Sequence, residues 1–281
     1  MNRPRSILAA LMLLLAPLVV AAQGSSPTAS NSCRKELVDI GGRRVWVGAE
    51  GTGDVTVVFE AGGGNDSSVW TQIASRIRAA GVRTFVYDRA GLGRSELGPT
   101  PYSIDDEVHA LRSALTTCGI KGPVILTAHS YGGFISLLTA SVDKRVAGLV
   151  LVDAVVPKAT PKSEVEAILA KYRPQYDELR KQAPELAKAM IPLMEAYPAT
   201  VKKLDAARIP TRLPIIDIVA ENTMTDTPQT ATIWRKAHAE FVAHNRFRKS
   251  VFAAGSSHKV MKDKPDIVVD AILQMIGLVG R

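Results

Sequence analysis

Residues 128–132 constrain the fold of this chain more strongly than any other segment. These five residues, Ala-His-Ser-Tyr-Gly, follow an apolar run at residues 124–128 and lead directly into a second apolar segment. That order predicts a buried strand, a one-residue hinge and a helix. A serine at such a hinge lies on a sharp turn, where crowding requires small neighbours such as Ala128 and Gly132. We therefore expect the hydroxyl of Ser130 to stand above the edge of a sheet.

Strand-like and helix-like patterns alternate along most of the chain. Apolar runs typical of strands occur at residues 36–40, 43–48, 55–59, 84–88, 124–128, 146–152, 215–220 and 248–254. Strands that are joined through helices form right-handed crossovers, which place helices on both faces of a mostly parallel sheet. The sequence therefore predicts an α/β fold with a mostly parallel eight-stranded sheet and helices on both faces.

Three further segments accompany the Ser130 turn in a fixed order. Residues 60–64, Glu-Ala-Gly-Gly-Gly, follow a predicted strand and form a loop whose backbone amides are free. Residues 88–95, Asp-Arg-Ala-Gly-Leu-Gly-Arg-Ser, follow the next strand, and His258 precedes an apolar-periodic segment at residues 267–276. Together with the serine turn, these segments resemble the α/β-hydrolase superfamily.

The resemblance implies a role for several residues. Ser130 is the expected nucleophile and His258 the expected general base, because the superfamily places its histidine after the last strand. The backbone amides of Gly63 and Tyr131 are the expected oxyanion hole. His129 adjoins the nucleophile and is expected to point away from it. Two sets of residues are expected to serve packing, surface or turn architecture alone, namely His109, His238 and His244, and Asp88, Arg89 and Ser95.

The acid of the predicted triad is not fixed by the sequence. The superfamily most often places it after the strand that follows the cap, and that position holds Thr223, which cannot balance an imidazolium. Asp153, at the end of the strand before the cap, is a second location known in the superfamily, and we favour it. Glu221 and then Asp226, both in the same loop as Thr223, are the alternatives.

The alternation of strands and helices stops at residues 157–212. This segment has several helical stretches with Lys and Glu but no buried strand. The resemblance implies that it is a helical cap insertion over the site. Its larger apolar side chains are expected to roof the site, to pack the cap onto the body, or both, namely Ile168, Leu169, Tyr172, Met190, Leu193, Met194 and Tyr197.

The N-terminal segment has the composition of a signal peptide. Arg3 and Arg5 form a short basic region that an apolar run and small residues follow, and the run is too short for a spanning helix. We therefore expect residues 1–22 to be removed on export to the periplasm or medium. Residues 23–33 then form a flexible leader, and residues 34–281 form the α/β-hydrolase domain.

The chain contains two cysteines, Cys33 and Cys118, and both lie after the predicted cleavage site. An oxidising compartment would allow them to form one disulfide. The alternative is a pair of buried thiols, and the sequence alone does not decide between the two states.

Composition narrows the classes of partner. The formal net charge of +8 is scattered, and only 5% of residues are aromatic, which argues against nucleic-acid binding. Metal-ligand spacings and phosphate-binding glycine loops are absent from the sequence, so we expect neither a metal nor another cofactor. We also expect no stable membrane association once the signal peptide is removed, and the oligomeric state stays open.

The resemblance implies an exported serine hydrolase that cleaves an ester or related acyl bond of a small apolar substrate. The reaction would pass through an acyl-enzyme on Ser130, and a carboxylesterase is the first expectation. Two alternatives stay open. One is a catalytically silent binding protein with the same fold, which the threonine at position 223 suggests, and the other is a cofactor-free haloperoxidase or a carbon–carbon hydrolase.

Overall fold

The computed structural model describes residues 33–224 and 227–280, and in this part of the chain eight strands form one sheet. The strands are β1 (Glu36–Asp39), β2 (Arg44–Glu50), β3 (Thr56–Glu60), β4 (Arg83–Tyr87), β5 (Val124–His129), β6 (Val146–Val152), β7 (Ile215–Asn222) and β8 (Arg248–Ser257). Their order in the sheet is β1-β2-β4-β3-β5-β6-β7-β8. β2 pairs antiparallel with β1 and β4, and the other pairs are parallel. The predicted mostly parallel eight-stranded sheet is confirmed.

Helices cover both faces of this sheet. They are α1 (Thr71–Ala79), α2 (Ile104–Thr117), α3 (Gly132–Val142), α4 (Lys162–Tyr172), α5 (Tyr176–Gln182), α6 (Pro184–Glu195), α7 (Tyr197–Asp205), α8 (Pro228–Val242), α9 (Val260–Asp263) and α10 (Pro265–Val279). Val57 and Phe59 of β3 belong to the core under α1 and α10, whereas Val58 belongs to the core under α2 and α3. Because side chains alternate along a strand, one run of apolar residues supplies two cores.

All of the regular secondary structure between β6 and β7 is helical. Residues 157–212, all of which the structure describes, contain α4, α5, α6 and α7 and no strand. We call this segment the cap. α7 contacts α3, the helix that begins just after Ser130, so the cap lies close to the predicted nucleophile.

The predicted signal peptide at residues 1–22 and all but the last residue of the predicted leader at residues 23–33 lie outside the described residues. Among the described helices, none combines the length and the apolar composition that crossing a bilayer requires.

Cys33 and Cys118 form a disulfide, which decides between the two states that the sequence left open. Both residues are buried, and their Cα atoms are 5.6 Å apart. The bond joins Cys33, which lies shortly before β1, to Cys118 at the end of α2. Disulfides persist mainly in oxidising compartments, so this bond is consistent with the predicted export.

We predict that replacing both cysteines with alanine lowers the free energy of unfolding. The two residues are 85 positions apart, and closing such a loop restricts the unfolded chain by up to about 4 to 5 kcal/mol. Urea denaturation of the oxidised wild type, the reduced wild type and Cys33→Ala/Cys118→Ala measures the difference. Equal midpoints for all three proteins would contradict the prediction. A thiol titration of the unfolded, non-reduced wild type should find no free thiol.

Candidate active site

Ser130 lies on a strained turn between β5 and α3. Its φ of 52° is in the left-handed region, which a residue with a side chain adopts only under constraint. The backbone carbonyl of Ser130 accepts a hydrogen bond of 2.9 Å from the amide of Val155, which helps to hold the turn. A Cβ atom on Gly132 would lie 2.7 Å from the Glu60 side chain, and one on Gly133 would lie 2.3 Å from the carbonyl oxygen of Val155. The small residues around the serine are therefore required by close approach.

His258 follows β8 and is held by a buried carboxylate. Its Nδ1 lies 2.6 Å from Oδ2 of Asp153, a residue with no exposed surface. The other ring nitrogen, Nε2, is buried and has no hydrogen-bond partner within residues 33–224 and 227–280. Ser130 and His258 line the same cavity. This arrangement leaves Nε2 as the nitrogen that is free to exchange a proton with a group in the cavity.

Asp153 follows β6 and is stabilised as a carboxylate by several donors. Thr223 donates its hydroxyl to Oδ2 at 2.7 Å, while Trp234 Nε1 and the amide of Ala220 donate to Oδ1 at 3.1 and 3.2 Å. Burial opposes ionisation of Asp153, but the hydrogen bonds from His258 and Thr223 outweigh it and hold its pKa below the ordinary value. Thr223 thus supports a carboxylate that comes from the neighbouring strand.

The structure separates the three candidate acids. Glu221 is exposed, and its carboxylate accepts a hydrogen bond of 2.7 Å from the backbone amide of Gly255. Asp226 lies outside the described residues. Asp153 is the candidate that contacts His258, so the geometry favours it, and its catalytic role stays a prediction.

The loop after β3 lies beside Ser130. Gly63 and Tyr131 line the cavity, and among the described residues no hydrogen bond uses the backbone amide of either residue. The two glycines that flank Gly63 have different physical requirements. Gly64 has a φ of 69°, whereas a Cβ atom on Gly62 would lie 2.8 Å from Nδ1 of His129. Both amides are therefore available to an acceptor in the cavity, and their role as the oxyanion hole stays a prediction.

His129 contacts His258, a role that the sequence did not predict. As expected, it does not line the cavity with Ser130. Its ring nevertheless packs 4.5 Å from that of His258, and its Nε2 donates a hydrogen bond of 2.9 Å to the backbone carbonyl of His258. Burial and the neighbouring His258 lower the pKa of His129 to about 4, so its ring stays neutral at neutral pH. Its position next to the nucleophile was the available signal.

The remaining histidines lie away from the cavity. His109 is exposed on α2, and His244 is exposed beyond the end of α8. His238 is buried on α8, with Nδ1 2.8 Å from the buried carboxylate of Asp217 on β7. This second His–Asp pair does not line the cavity that contains Ser130. His238 therefore packs the core, as one of its two expected roles requires.

The cavity beside Ser130 has a volume of about 720 Å³, within the range of small-molecule sites. Seven apolar cap residues were expected to roof the site or to pack the cap. Six of them line this cavity, namely Ile168, Tyr172, Met190, Leu193, Met194 and Tyr197. Leu169 instead is buried and does not line the cavity. In the described part of the chain, no group of three or more His, Cys, Asp or Glu side chains is placed to hold a metal ion.

We predict that Gly62→Ala destabilises the fold, whereas Gly63→Ala does not. The new methyl group at position 62 would overlap Nδ1 of His129 at 2.8 Å, but at position 63 its nearest neighbour is Cβ of Tyr131 at 3.6 Å. Overpacking of this kind costs about 1 to 3 kcal/mol. Thermal unfolding of the two variants measures the difference. Equal melting temperatures would show that His129 has room to move.

Comparison with known proteins agrees with this fold. The sequence profile of the alpha/beta hydrolase family matches residues 57–271. The uncharacterized protein YqjL of Bacillus subtilis strain 168 is 27% identical over 233 residues, which cover 79% of this chain and 84% of YqjL.

Two solved structures share the fold at low sequence identity. An enol-lactonase from Burkholderia xenovorans LB400 has a TM-score of 0.59 at 17% identity, covering 86% of this chain and 100% of its own. A carboxylesterase from the thaumarchaeon Nitrososphaera gargenis has a TM-score of 0.65 at 15% identity, covering 87% and 99%. The family profile spans more than half of the sequence, and the eight-stranded sheet has the architecture expected for that family. This chain therefore belongs to the alpha/beta hydrolase family.

Proposed function

We propose that this protein is a serine hydrolase that cleaves an ester or related acyl bond of a small apolar substrate. One observation is the main support. Nδ1 of His258 is bonded to the buried carboxylate of Asp153, while its Nε2 has no partner in the described residues and lies in the group that lines the cavity with Ser130. An imidazole that is oriented in this way is suited to take a proton from a serine hydroxyl.

The proposed reaction has two stages. His258 takes the hydroxyl proton of Ser130 as Oγ attacks the acyl carbon, and Asp153 stabilises the imidazolium that forms. The amides of Gly63 and Tyr131 receive the developing oxyanion. His258 then protonates the leaving alcohol, and the same residues activate a water molecule that hydrolyses the acyl-enzyme.

The substrate class follows from the surfaces of the cavity. The cap contributes aliphatic and aromatic side chains, and Trp234 of α8 adds a further aromatic ring whose Nε1 is engaged by Asp153. Such a lining favours an apolar acyl or alcohol group. The enol-lactonase and the carboxylesterase that share the fold act on esters, which is consistent with this substrate class.

A catalytically silent binding protein is no longer favoured by any observation. The reason to consider it was the threonine at the usual position of the acid. Thr223 donates its hydroxyl to Asp153, so a carboxylate is present beside His258 without an acid at position 223. The absence of an acid at position 223 therefore does not imply that catalytic activity has been lost.

We predict that a fluorophosphonate probe labels the wild type and does not label Ser130→Ala. Oγ of Ser130 would form a bond to phosphorus as fluoride leaves, with the hydroxyl proton passing to His258. Ser141→Ala is the matched control, because Ser141 lies on α3, the helix that follows the Ser130 turn, and its hydroxyl donates to the carbonyl of Leu138. Labelling is read by intact-protein mass. A folded wild type that takes no label would favour the binding protein instead.

We predict that Asp153→Asn lowers kcat by about 10⁴-fold, whereas Glu221→Gln changes it less than about threefold. The amide cannot balance the imidazolium, whereas Glu221 is exposed and bonded to Gly255. Hydrolysis of p-nitrophenyl esters by both variants and by Asp226→Asn measures the effect, with thermal unfolding as the control for folding. A large loss in Glu221→Gln or Asp226→Asn, with near wild-type turnover in Asp153→Asn, would reassign the acid.

A further inference from the structure

Arg89 is a buried cation whose side chain contacts the oxyanion loop. It follows β4 and is 3% exposed. Its Nη2 donates to the carbonyl oxygen of Gly62 at 2.7 Å, and its Nη1 donates to the carbonyl oxygen of Ala61. Arg89 therefore fixes two successive peptide groups of the loop that leads to Gly63. The expectation that it serves turn architecture alone is incomplete.

Asp88 and Ser95, the other two residues of the 88–95 motif that were expected to serve turn architecture, do stabilise the turn. Asp88 accepts hydrogen bonds from the backbone amides of Ser67 and Arg94, and the hydroxyl of Ser95 donates to the carbonyl of Asp88. In the described part of the chain, the side chain of Arg89 donates its hydrogen bonds to Glu60, Ala61 and Gly62 and to no residue of the motif. Its guanidinium lies instead 5.6 Å from the ring centroid of Tyr131, the residue after the nucleophile.

Peptide geometry connects Arg89 with the amide of Gly63. The bond between Gly62 and Gly63 is trans, so the carbonyl of residue 62 and the amide of residue 63 point in opposite directions. Arg89 lies on the carbonyl side of this peptide group. The N–H group of Gly63 consequently points away from Arg89, and Gly63 lines the cavity with Ser130.

Glu60 holds Arg89 and also contacts the nucleophile turn. Its Oε1 accepts a hydrogen bond of 2.8 Å from Nη1 of Arg89, and its Oε2 accepts one from the hydroxyl of Tyr87. Glu60 has no exposed surface, and its Cγ would lie only 2.7 Å from a Cβ atom on Gly132. One buried ion pair thus touches both segments that supply the proposed oxyanion donors.

We propose that Arg89, held by Glu60, is a positioning residue that presets the Gly63 amide for the oxyanion. A buried ion pair is weak support for stability, because desolvation offsets most of its attraction. A planar guanidinium, however, can bridge two carbonyls at once in a fixed geometry, which an ammonium group cannot do. This inference rests on the proposed function, since an oxyanion forms only if Ser130 attacks an acyl group.

The test compares Arg89→Met with a matched control, Arg145→Met. Arg145 also pairs with a carboxylate, Asp143, and also bridges two carbonyls, those of Arg112 and Ile120, but neither carbonyl belongs to the loop that contains Gly63. Ester hydrolysis gives kcat and KM, and a boronic acid that forms a tetrahedral adduct on Ser130 gives the affinity for a transition-state mimic. Assays at about pH 8.5 keep Glu60 ionised, because burial raises its pKa to about 7.

We predict that Arg89→Met lowers kcat and the boronic acid affinity together, by about 10- to 100-fold, and changes KM less than about threefold. A misplaced donor weakens the transition state more than the bound substrate. Arg89→Lys should recover little of the loss, whereas Arg145→Met should lower the melting temperature and leave kcat and boronic acid affinity unchanged.

Three results are decisive. If folded Arg89→Met keeps the wild-type kcat and boronic acid affinity, Arg89 has no positioning role and the inference is wrong. If Arg89→Met does not fold, Glu60→Gln serves as the test, because it keeps the size of the side chain but removes the charge and one of the two acceptors, and an unchanged kcat then overturns the inference. If the wild type takes no fluorophosphonate and hydrolyses no ester, the proposed function fails instead, which separates the two failures.

Discussion

Because β3, β5, β6, β7 and β8 run parallel, the residues that follow each strand arrive at one edge of the sheet. The glycine loop follows β3, Ser130 follows β5, Asp153 follows β6, Thr223 follows β7 and His258 follows β8. Residues that are more than a hundred positions apart become neighbours without any long connecting structure. The parallel pairing, and the two apolar cores that pack the sheet between helices, therefore determine whether these residues meet.

The same constraint explains how a carboxylate after β6 meets a side chain that follows β7. The two strands are adjacent, and the register pairs Val152, the last residue of β6, with Ile218 of β7. β7 continues beyond this pair to Asn222. In this chain the carboxylate comes from β6, while Thr223 after β7 and Trp234 on α8 supply hydrogen bonds to it. The carboxylate that contacts His258 thus follows one strand, and a hydroxyl that donates to it follows the next.

Local pattern was sufficient to predict the fold and the environment of Ser130. Strand and helix periodicities, and small residues around a serine, are encoded by short stretches that must satisfy their own steric limits. The preference for Asp153 also came from its place at the end of a buried strand. The disulfide could not be derived from the sequence, because it depends on the distance between a residue before β1 and the end of α2.

Side-chain contacts across the sheet edge were beyond the sequence as well. Nothing in the residue order shows that Arg89 reaches the carbonyls of Ala61 and Gly62 rather than its own turn. The contact of His129 with the backbone of His258 joins residues 129 positions apart. Leu169 has the same helical spacing as the cavity-lining residues of the cap, yet it is buried and does not line the cavity. Such choices are made by tertiary packing, which periodicity does not encode.

The covalent link at Cys33 has a consequence for the start of the domain. β1 is an edge strand, paired on one side only, and edge strands at chain ends readily detach. Here the residue just ahead of it is fastened to a helix that packs on the sheet. Trimming of the polypeptide at any bond before this anchor would leave the first strand tethered. Loss of residues ahead of Cys33 would therefore leave the edge of the sheet covered by β1.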